Sequence, residues 1–149
     1  MSRTQHILLL GVLGFIGLVD SLYLSYTVFS GGELICGIVE GCNAVAASPY
    51  SRVLGIPLAY AGVVYYLGTV FLAGILYYGW GSLRIVRVGS LLYTLLGALM
   101  SLYFLYVQVA LIGAICLYCL LSAAITFILF AIGYVLYCEE VPPQVMISE

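Results

Sequence analysis

The sequence predicts an all-α membrane protein, a bundle of four transmembrane helices, from its composition and the lengths of its apolar stretches. Of the 149 residues, 65% are hydrophobic and 7% are charged, and the mean hydropathy is +1.24. A soluble domain carries about a quarter charged residues, so the composition argues against a water-soluble globule. The net charge of −2 offers no basic surface for nucleic acid, and no glycine-rich phosphate loop occurs.

Four apolar stretches are long enough to cross a membrane. A helix rises about 1.5 Å per residue and a bilayer core is about 30 Å thick, so each span needs about 20 residues. The remaining residues form short ends, a first loop at 30–56, an eight-residue second loop and a very short third connection. We therefore expect a single domain, 1–149, whose predicted spans are 7–29, 57–79, 88–110 and 115–137.

Glycine, proline and one carboxylate refine these spans. The stretch 88–137 is too long for one crossing, and we expect it to turn at Gly113, near its middle. Pro57 suits the first turn of the second span, where its missing N–H costs nothing. Asp20 is the one formal charge inside the spans. We expect it to face the bundle interior, as a proton relay or as a hydrogen-bonded structural residue.

The arginines predict the orientation, because cytoplasmic loops are enriched in positive charge. With the N-terminus inside, Arg3, Arg84 and Arg87 lie inside and only Arg52 lies outside, whereas the reverse gives one inside and three outside. We therefore expect a multi-pass protein of the cell membrane whose two termini lie in the cytoplasm. The first helix lacks a small-x-small cleavage site and is expected to stay uncleaved.

The five cysteines divide between the two sides of the membrane on this topology. Cys36 and Cys42 lie in the first external loop, Cys116 and Cys119 lie at the external mouth of the fourth helix, and Cys138 lies at the cytoplasmic end. Two pairs therefore share the oxidising side of the membrane, and the odd cysteine lies in a reducing compartment.

Cys116-Leu-Tyr-Cys119 is a CxxC motif in the first turn of a helix. Residues three apart lie on one face there, close enough for a disulfide. The helix N-terminus favours a thiolate, the species that attacks disulfides, so the motif favours thiol–disulfide exchange. A structural bridge is the next interpretation. Zinc is disfavoured, and no metal is expected, because His6, the only histidine, lies on the opposite side.

The first loop is able to carry its cysteines toward the CxxC. Two glycines between Cys36 and Cys42 let the turn close, or open and swing. Residues 43–48 predict about one and a half helical turns ended by Pro49, an uncharged segment that lies back over the mouth of the bundle. A static Cys36–Cys42 staple is the alternative.

Together these motifs resemble the vitamin K epoxide reductase family, in particular its prokaryotic members. The pattern is a Cys, six residues to a second Cys, six more to a Ser followed by Pro-Tyr, then Leu-Gly-Ile-Pro-Leu-Ala, and a CxxC heading the last helix. The resemblance covers about residues 20–137. It implies a four-helix bundle around a quinone, capped externally by the loop and its short half-helix.

The resemblance also implies a role for each matched cysteine. Cys36 would exchange with a thioredoxin-like partner, and Cys42, its mate, would pass electrons to Cys116. Cys119 would lie nearest the quinone ring. The four thiols would thus form a relay from the partner to the quinone.

Three further residues are candidates for quinone binding. The resemblance implies that Ser48 is the small hydroxyl residue at the quinone headgroup. Ser122 and Ala123 lie one turn deeper than Cys119 on the same face, so their spacing makes them candidates to line an apolar slot. The quinone is expected to be of the ubiquinone or menaquinone type.

Two departures from the family pattern limit what it implies. Many prokaryotic members carry a thioredoxin-like domain after the bundle, whereas this sequence ends at Glu149, so the partner is expected to be a separate thioredoxin-fold protein on the extracytoplasmic side. The animal enzymes carry a tyrosine four residues beyond the CxxC, where this sequence has Ala123. Vitamin K epoxide is therefore not favoured as the substrate.

We thus predict a quinone-coupled thiol oxidoreductase that supports disulfide formation by passing electrons from its partner, through two cysteine pairs, to a membrane quinone. One alternative is a non-catalytic tetraspan membrane protein held by structural external disulfides. Another is a metal transporter that uses the CxxC, for which Asp20 alone gives thin support.

Overall fold

The computed structural model describes residues 2–35, 41–53, 55–80 and 83–139. Four long helices, a short helix and a two-stranded hairpin account for most of them. In chain order the elements are α1 (Arg3–Ser30), α2 (Gly41–Ala47), a 3-10 turn (Pro49–Ser51), β1 (Arg52–Val53), β2 (Ile56–Pro57), α3 (Leu58–Tyr78), α4 (Leu83–Tyr106), a π-helical turn (Val107–Ile112) and α5 (Leu117–Cys138).

The four long helices form the predicted bundle. Helices α1, α3 and α5, together with the segment Arg84–Ile112, are long and apolar enough to cross a membrane. Helix α1 packs along α3 and α5, α4 packs along α5, and α3 also contacts α4. Large apolar side chains such as Val64 and Phe71 face outward, as lipid contact requires. The prediction of an all-α, four-span membrane protein is confirmed.

Two helices begin earlier than predicted. Helix α1 begins at Arg3 rather than residue 7, because the Gln5 side chain accepts a hydrogen bond from the Ser2 N–H at 2.7 Å and so stabilises an additional turn. Helix α4 begins at Leu83 rather than residue 88, which places Arg84 inside the helix instead of in a loop. The prediction was wrong here because arginine is a good helix former and its charge does not end a helix.

The connections differ from prediction in detail. The turn predicted at Gly113 is confirmed, since this glycine adopts φ +69° and ends the π-helical turn. Helix α3 begins at Leu58, so Pro57 stands at the N-cap position, one residue before the first turn. Pro57 also pairs with Arg52 in a short antiparallel hairpin that the sequence analysis did not predict.

The short helix α2 lies against the start of α5. It covers most of the predicted segment 43–48 and extends back to Gly41. A Cβ on Gly41 would overlap the backbone of Ile115, so only glycine permits this approach. Helix α2 therefore sits directly on the residues that precede the CxxC.

Close contact between α1 and α3 depends on a tyrosine that packs on a glycine. Tyr66 is 1% exposed and belongs to the main core cluster. A Cβ on Gly17 would overlap the Tyr66 ring, whereas a Cβ on Gly11 would lie 3.5 Å from the Ala73 Cβ, an ordinary contact. Gly17 and Gly11 therefore differ in how much free space surrounds them in α1.

Replacement of Gly17 by alanine should destabilise the bundle more than replacement of Gly11. The Gly17→Ala protein should lose about 1–3 kcal/mol, the usual cost of overpacking, and its thermal midpoint in detergent should fall by several degrees. The Gly11→Ala protein, the matched control, should unfold near the wild-type midpoint. Equal midpoints for the two variants would show that the Gly17–Tyr66 contact does not limit helix approach.

Candidate active site

The candidate site lies at the end of the bundle where α1 ends and α5 begins. Leu34, Cys42 and Cys116 form a buried cluster, against which Tyr118 and Cys119 pack. Cys42 is fully buried and Cys116 is 1% exposed. The short helix α2 and the adjoining segment at Leu34 and Ile35 are called the cap here. The fold thus brings Cys42 of the cap and both cysteines of the CxxC together.

The cysteines of the two motifs are in different oxidation states. Cys42 is disulfide-bonded, whereas Cys116 and Cys119 carry free thiols. Cys36, the predicted mate of Cys42, lies outside the described residues. The site therefore combines an oxidised cap cysteine with a reduced CxxC.

Cys116 occupies the N-cap position of α5, where its sulfur accepts a hydrogen bond from the Cys119 N–H at 3.4 Å. A hydrogen bond with the Cys119 thiol is the largest influence lowering the pKa of Cys116, to about 7, and the backbone N–H groups of Cys119 and Tyr118 act in the same direction. Burial and the Asp20 carboxylate oppose the lowering of this pKa. A large fraction of Cys116 is therefore thiolate near neutral pH, as an attacking or leaving sulfur requires.

Gln108 fixes the backbone of the CxxC. Its side-chain oxygen accepts a hydrogen bond from the Cys116 N–H at 2.9 Å, and the residue is only 3% exposed. Sequence reasoning missed this residue. The available signal was a lone amide within a strongly apolar stretch, where an unpaired polar side chain is costly.

Two further contacts tie the segment that precedes Cys36 to the site. The Asn43 side chain accepts a hydrogen bond from the Leu34 N–H at 2.8 Å and donates one to the Leu34 carbonyl at 3.4 Å. The Tyr118 hydroxyl donates to the Ile35 carbonyl at 2.9 Å. These residues, also missed from sequence, hold the cap against α5.

A cavity of about 290 Å³ opens beside the thiols. Most of its lining is apolar, with a few polar side chains, which is the environment that a quinone ring requires. The six predicted site residues that the structure describes all line it: Cys42, Ser48, Cys116, Cys119, Ser122 and Ala123.

The two predicted serines already make hydrogen bonds. The Ser48 hydroxyl donates to the Val45 carbonyl at 2.8 Å. The Ser122 hydroxyl lies 2.7 Å from the Tyr66 hydroxyl, which also donates to the Ser122 carbonyl at 3.0 Å. Tyr66 is a cavity residue that sequence reasoning missed, because a contact between two helices leaves no local pattern. A quinone bound in the cavity would therefore face hydroxyl groups that already have hydrogen-bond partners.

Asp20 faces the bundle interior, as expected. It is 8% exposed, and its Oδ2 has no hydrogen-bond partner within the described ranges. It lies on α1 between Gly17, which contacts Tyr66, and Leu24, which packs on the cysteine cluster. Across the ranges described, no three His, Cys, Asp or Glu side chains converge as a metal site would require.

Comparison with known proteins shows the family to which the sequence belongs. The sequence model of the vitamin K epoxide reductase family matches residues 8–134. The chain belongs to this family. It is also 37% identical over 121 residues to the thiol-disulfide oxidoreductase LTO1 of Arabidopsis thaliana, an alignment that covers 76% of this chain and 32% of that protein. The chain thus spans about a third of the length of that relative.

Membership in the vitamin K epoxide reductase family confirms the resemblance drawn from the cysteine spacing. The matched region runs through all four long helices and includes the cap and the CxxC. Four apolar helices together with this family make the chain a multi-pass membrane protein.

The lowered pKa of Cys116 is testable by titration. In a variant that lacks Cys36, Cys42 and Cys138, the thiolate ultraviolet absorbance should rise with a midpoint near the pKa of about 7. Loss of the Cys119 thiol in the Cys119→Ala variant should raise the pKa of Cys116 toward its ordinary value, because the largest stabilising hydrogen bond is removed.

The Cys116→Ala variant in the same background is the matched control. It should show no thiol ionisation near neutral pH, since the remaining sulfur belongs to Cys119. A midpoint that stays in place in the Cys119→Ala variant would show that the Cys119 thiol does not stabilise the Cys116 thiolate.

Proposed function

We propose that this protein is a quinone-coupled thiol oxidoreductase. It takes electrons from a thioredoxin-fold partner, passes them through two cysteine pairs, and delivers them to a membrane quinone, so that disulfide bonds form in the partner's substrates. The observation that carries this proposal is the meeting of Cys42, Cys116 and Cys119 at the wall of one apolar cavity. The family and the similarity to a thiol-disulfide oxidoreductase support the chemistry.

The first exchange takes place at the cap. A partner thiolate attacks Cys36 of a Cys36–Cys42 disulfide, which forms a mixed disulfide and releases Cys42 as a thiolate. Cys42 then attacks Cys116 of an oxidised CxxC, the Cys116–Cys119 bond breaks, and Cys119 leaves as a thiolate. The packing of Cys42 with Cys116 in one buried cluster supports this order.

The second exchange restores the cap. The second thiolate of the partner attacks the mixed disulfide and releases Cys36, and the partner leaves fully oxidised. Cys36 attacks Cys42 in the Cys42–Cys116 bond, so the cap disulfide reforms and Cys116 leaves as a thiolate. The pKa of about 7 makes Cys116 a good leaving group. The product, an oxidised cap beside two free CxxC thiols, is the combination in this structure.

The cavity is where the CxxC would be reoxidised. A quinone accepts two electrons and two protons, which balances the formation of the Cys116–Cys119 disulfide from two thiols. Cys119 lines the cavity, and Ser48, Ser122 and Ala123 would surround the headgroup. The mainly apolar walls suit the fused or substituted ring of a quinone.

The partner would approach the exposed side of the cap. Ile35, beside the segment that carries Cys36, is 79% exposed, which offers an apolar contact for a docking protein. The arginine distribution supports an orientation with both termini in the cytoplasm and the cap on the extracytoplasmic side. The partner would then be a thioredoxin-fold protein of the oxidising compartment.

The alternative of two purely structural disulfides fits the site less well. A structural role for the CxxC would need only a bond between Cys116 and Cys119, whereas exchange also needs the contact of Cys116 with Cys42 that the buried cluster provides.

Loss of Cys36 should separate the two halves of the reaction. In detergent, with a reduced thioredoxin-fold donor and a quinone, the Cys36→Ala protein should oxidise the donor about a hundredfold more slowly, or worse. Reduction of quinone by a small dithiol through Cys116 and Cys119 should persist. Donor oxidation and quinone reduction are followed together by thiol alkylation and by the quinone absorbance.

The Cys138→Ala protein is the control and should keep the wild-type rate, because Cys138 lies at the far end of α5. Donor oxidation by Cys36→Ala at the normal rate would show that the relay order is wrong. Failure of the wild-type protein to reduce any quinone would contradict the proposed function itself.

A further inference from the structure

Gln108 joins the CxxC to the cavity through a single side chain. It is 3% exposed, and its oxygen accepts the hydrogen bond from the Cys116 N–H. The same residue lines the cavity that Cys119 and Ser122 also line. The oxygen of the Gln108 amide is therefore bound to the CxxC backbone, and the same residue borders the cavity beside the thiols.

The orientation of this amide is fixed by its partner. A backbone N–H only donates, so the oxygen of the Gln108 amide must face Cys116 and the NH2 group must face away from it. In the part of the chain that the structure describes, this NH2 group makes no hydrogen bond. Because the oxygen is held by Cys116, the NH2 group is the part of the Gln108 amide that is free to donate to an acceptor.

The backbone of Gln108 is also held by hydrogen bonds. Its carbonyl accepts hydrogen bonds from the Gly113 N–H and, at 3.2 Å, from the Ala114 N–H. These bonds close the π-helical turn Val107–Ile112, a wide turn of the kind often found at functional sites. The amide is therefore preorganised rather than free to turn toward another acceptor.

Several other polar side chains of the cavity have partners of their own, whereas the Tyr65 hydroxyl, which also lines it, has none among the described residues. The hydroxyl of Ser48 donates to Val45, and that of Ser122 is paired with Tyr66. The Thr126 hydroxyl lies 2.8 Å from that of Ser101. Of the cavity's donors, the NH2 group of Gln108 is the one whose amide is also bound to the CxxC, so a ligand that accepts from it would lie beside the two thiols.

We propose that Gln108 donates a hydrogen bond to a carbonyl oxygen of the quinone bound in the cavity. This inference rests on the proposed function. The carbonyl oxygen gains negative charge as it is reduced, and a fixed donor stabilises that charge. Because the same amide holds Cys116, the acceptor oxygen and the CxxC are positioned by one side chain.

The test is equilibrium binding of menadione to the full chain in detergent, measured by titration calorimetry. Gln108→Met removes the donor at nearly constant volume, so menadione should bind about tenfold more weakly. The matched ligand is 2-methylnaphthalene, which has the same fused ring and no carbonyl. Its affinity should be equal for the wild-type and Gln108→Met proteins.

Each outcome distinguishes the inference from the function on which it rests. Equal menadione affinity in the two proteins, or equal weakening for both ligands, would overturn the role of Gln108 as a donor. A wild-type protein that neither binds nor reduces menadione, ubiquinone or menaquinone analogues would instead overturn the proposed function.

A second measurement can overturn the inference on the wild-type protein alone, whether or not Gln108→Met folds. The carbonyl infrared band of menadione bound to the wild-type protein should lie at lower frequency than in dry hydrocarbon, because a hydrogen bond weakens the C=O bond. An unshifted band would overturn the inference, whereas a shifted band that returns in Gln108→Met would support it.

Discussion

The site depends on the close approach of a short cap helix to the N-terminus of α5. This approach is made by backbone contact, since Gly41 packs on Ile115 with no room for a side chain. It brings Cys42 into the same buried cluster as Cys116. A thiolate and a disulfide react only in contact, so every proposed electron transfer between cap and bundle depends on this packing. Asn43 and Tyr118 strengthen it by holding the segment at Leu34 and Ile35.

The N-terminus of α5 then makes the Cys116 sulfur reactive. The N-cap position surrounds the Cys116 sulfur with hydrogen-bond donors, which offset the cost of burying a thiolate. Gln108 holds the backbone of that residue, and the π-helical turn holds Gln108. The position of the Cys116 sulfur and its lowered pKa therefore both come from one small region in which two transmembrane helices meet. Apolar walls beside it provide a place for an electron acceptor that is soluble in the membrane.

Much of the fold was predictable, because membrane spans are governed by length and hydrophobicity alone. The four helices, the turn at Gly113 and the short cap helix all followed from local patterns. The early start of α4 did not, since its arginines look like loop residues in a hydropathy profile. The hairpin of β1 and β2 escaped notice because each strand has only two residues.

The candidate site was predictable where spacing along the chain carries the information. The CxxC and the cap cysteines follow from such spacing. Gln108 does not, because its contact with Cys116 requires a π-helical turn that no sequence pattern announces. The same holds for Tyr66, whose hydroxyl meets the predicted Ser122 from another helix, 56 positions away along the chain. Contacts of this kind are set by how the helices pack, and they become visible only in the folded chain.

The most direct test is to trap the bond through which electrons would cross from cap to bundle. A Cys36→Ala, Cys119→Ala double variant retains Cys42, Cys116 and Cys138, and oxidised glutathione supplies the oxidant for one new disulfide. Peptide mapping by mass spectrometry should find a Cys42–Cys116 bond in most of the protein, with Cys138 unpaired. Recovery of Cys42 and Cys116 each bound only to glutathione, with no bond between them, would contradict the account.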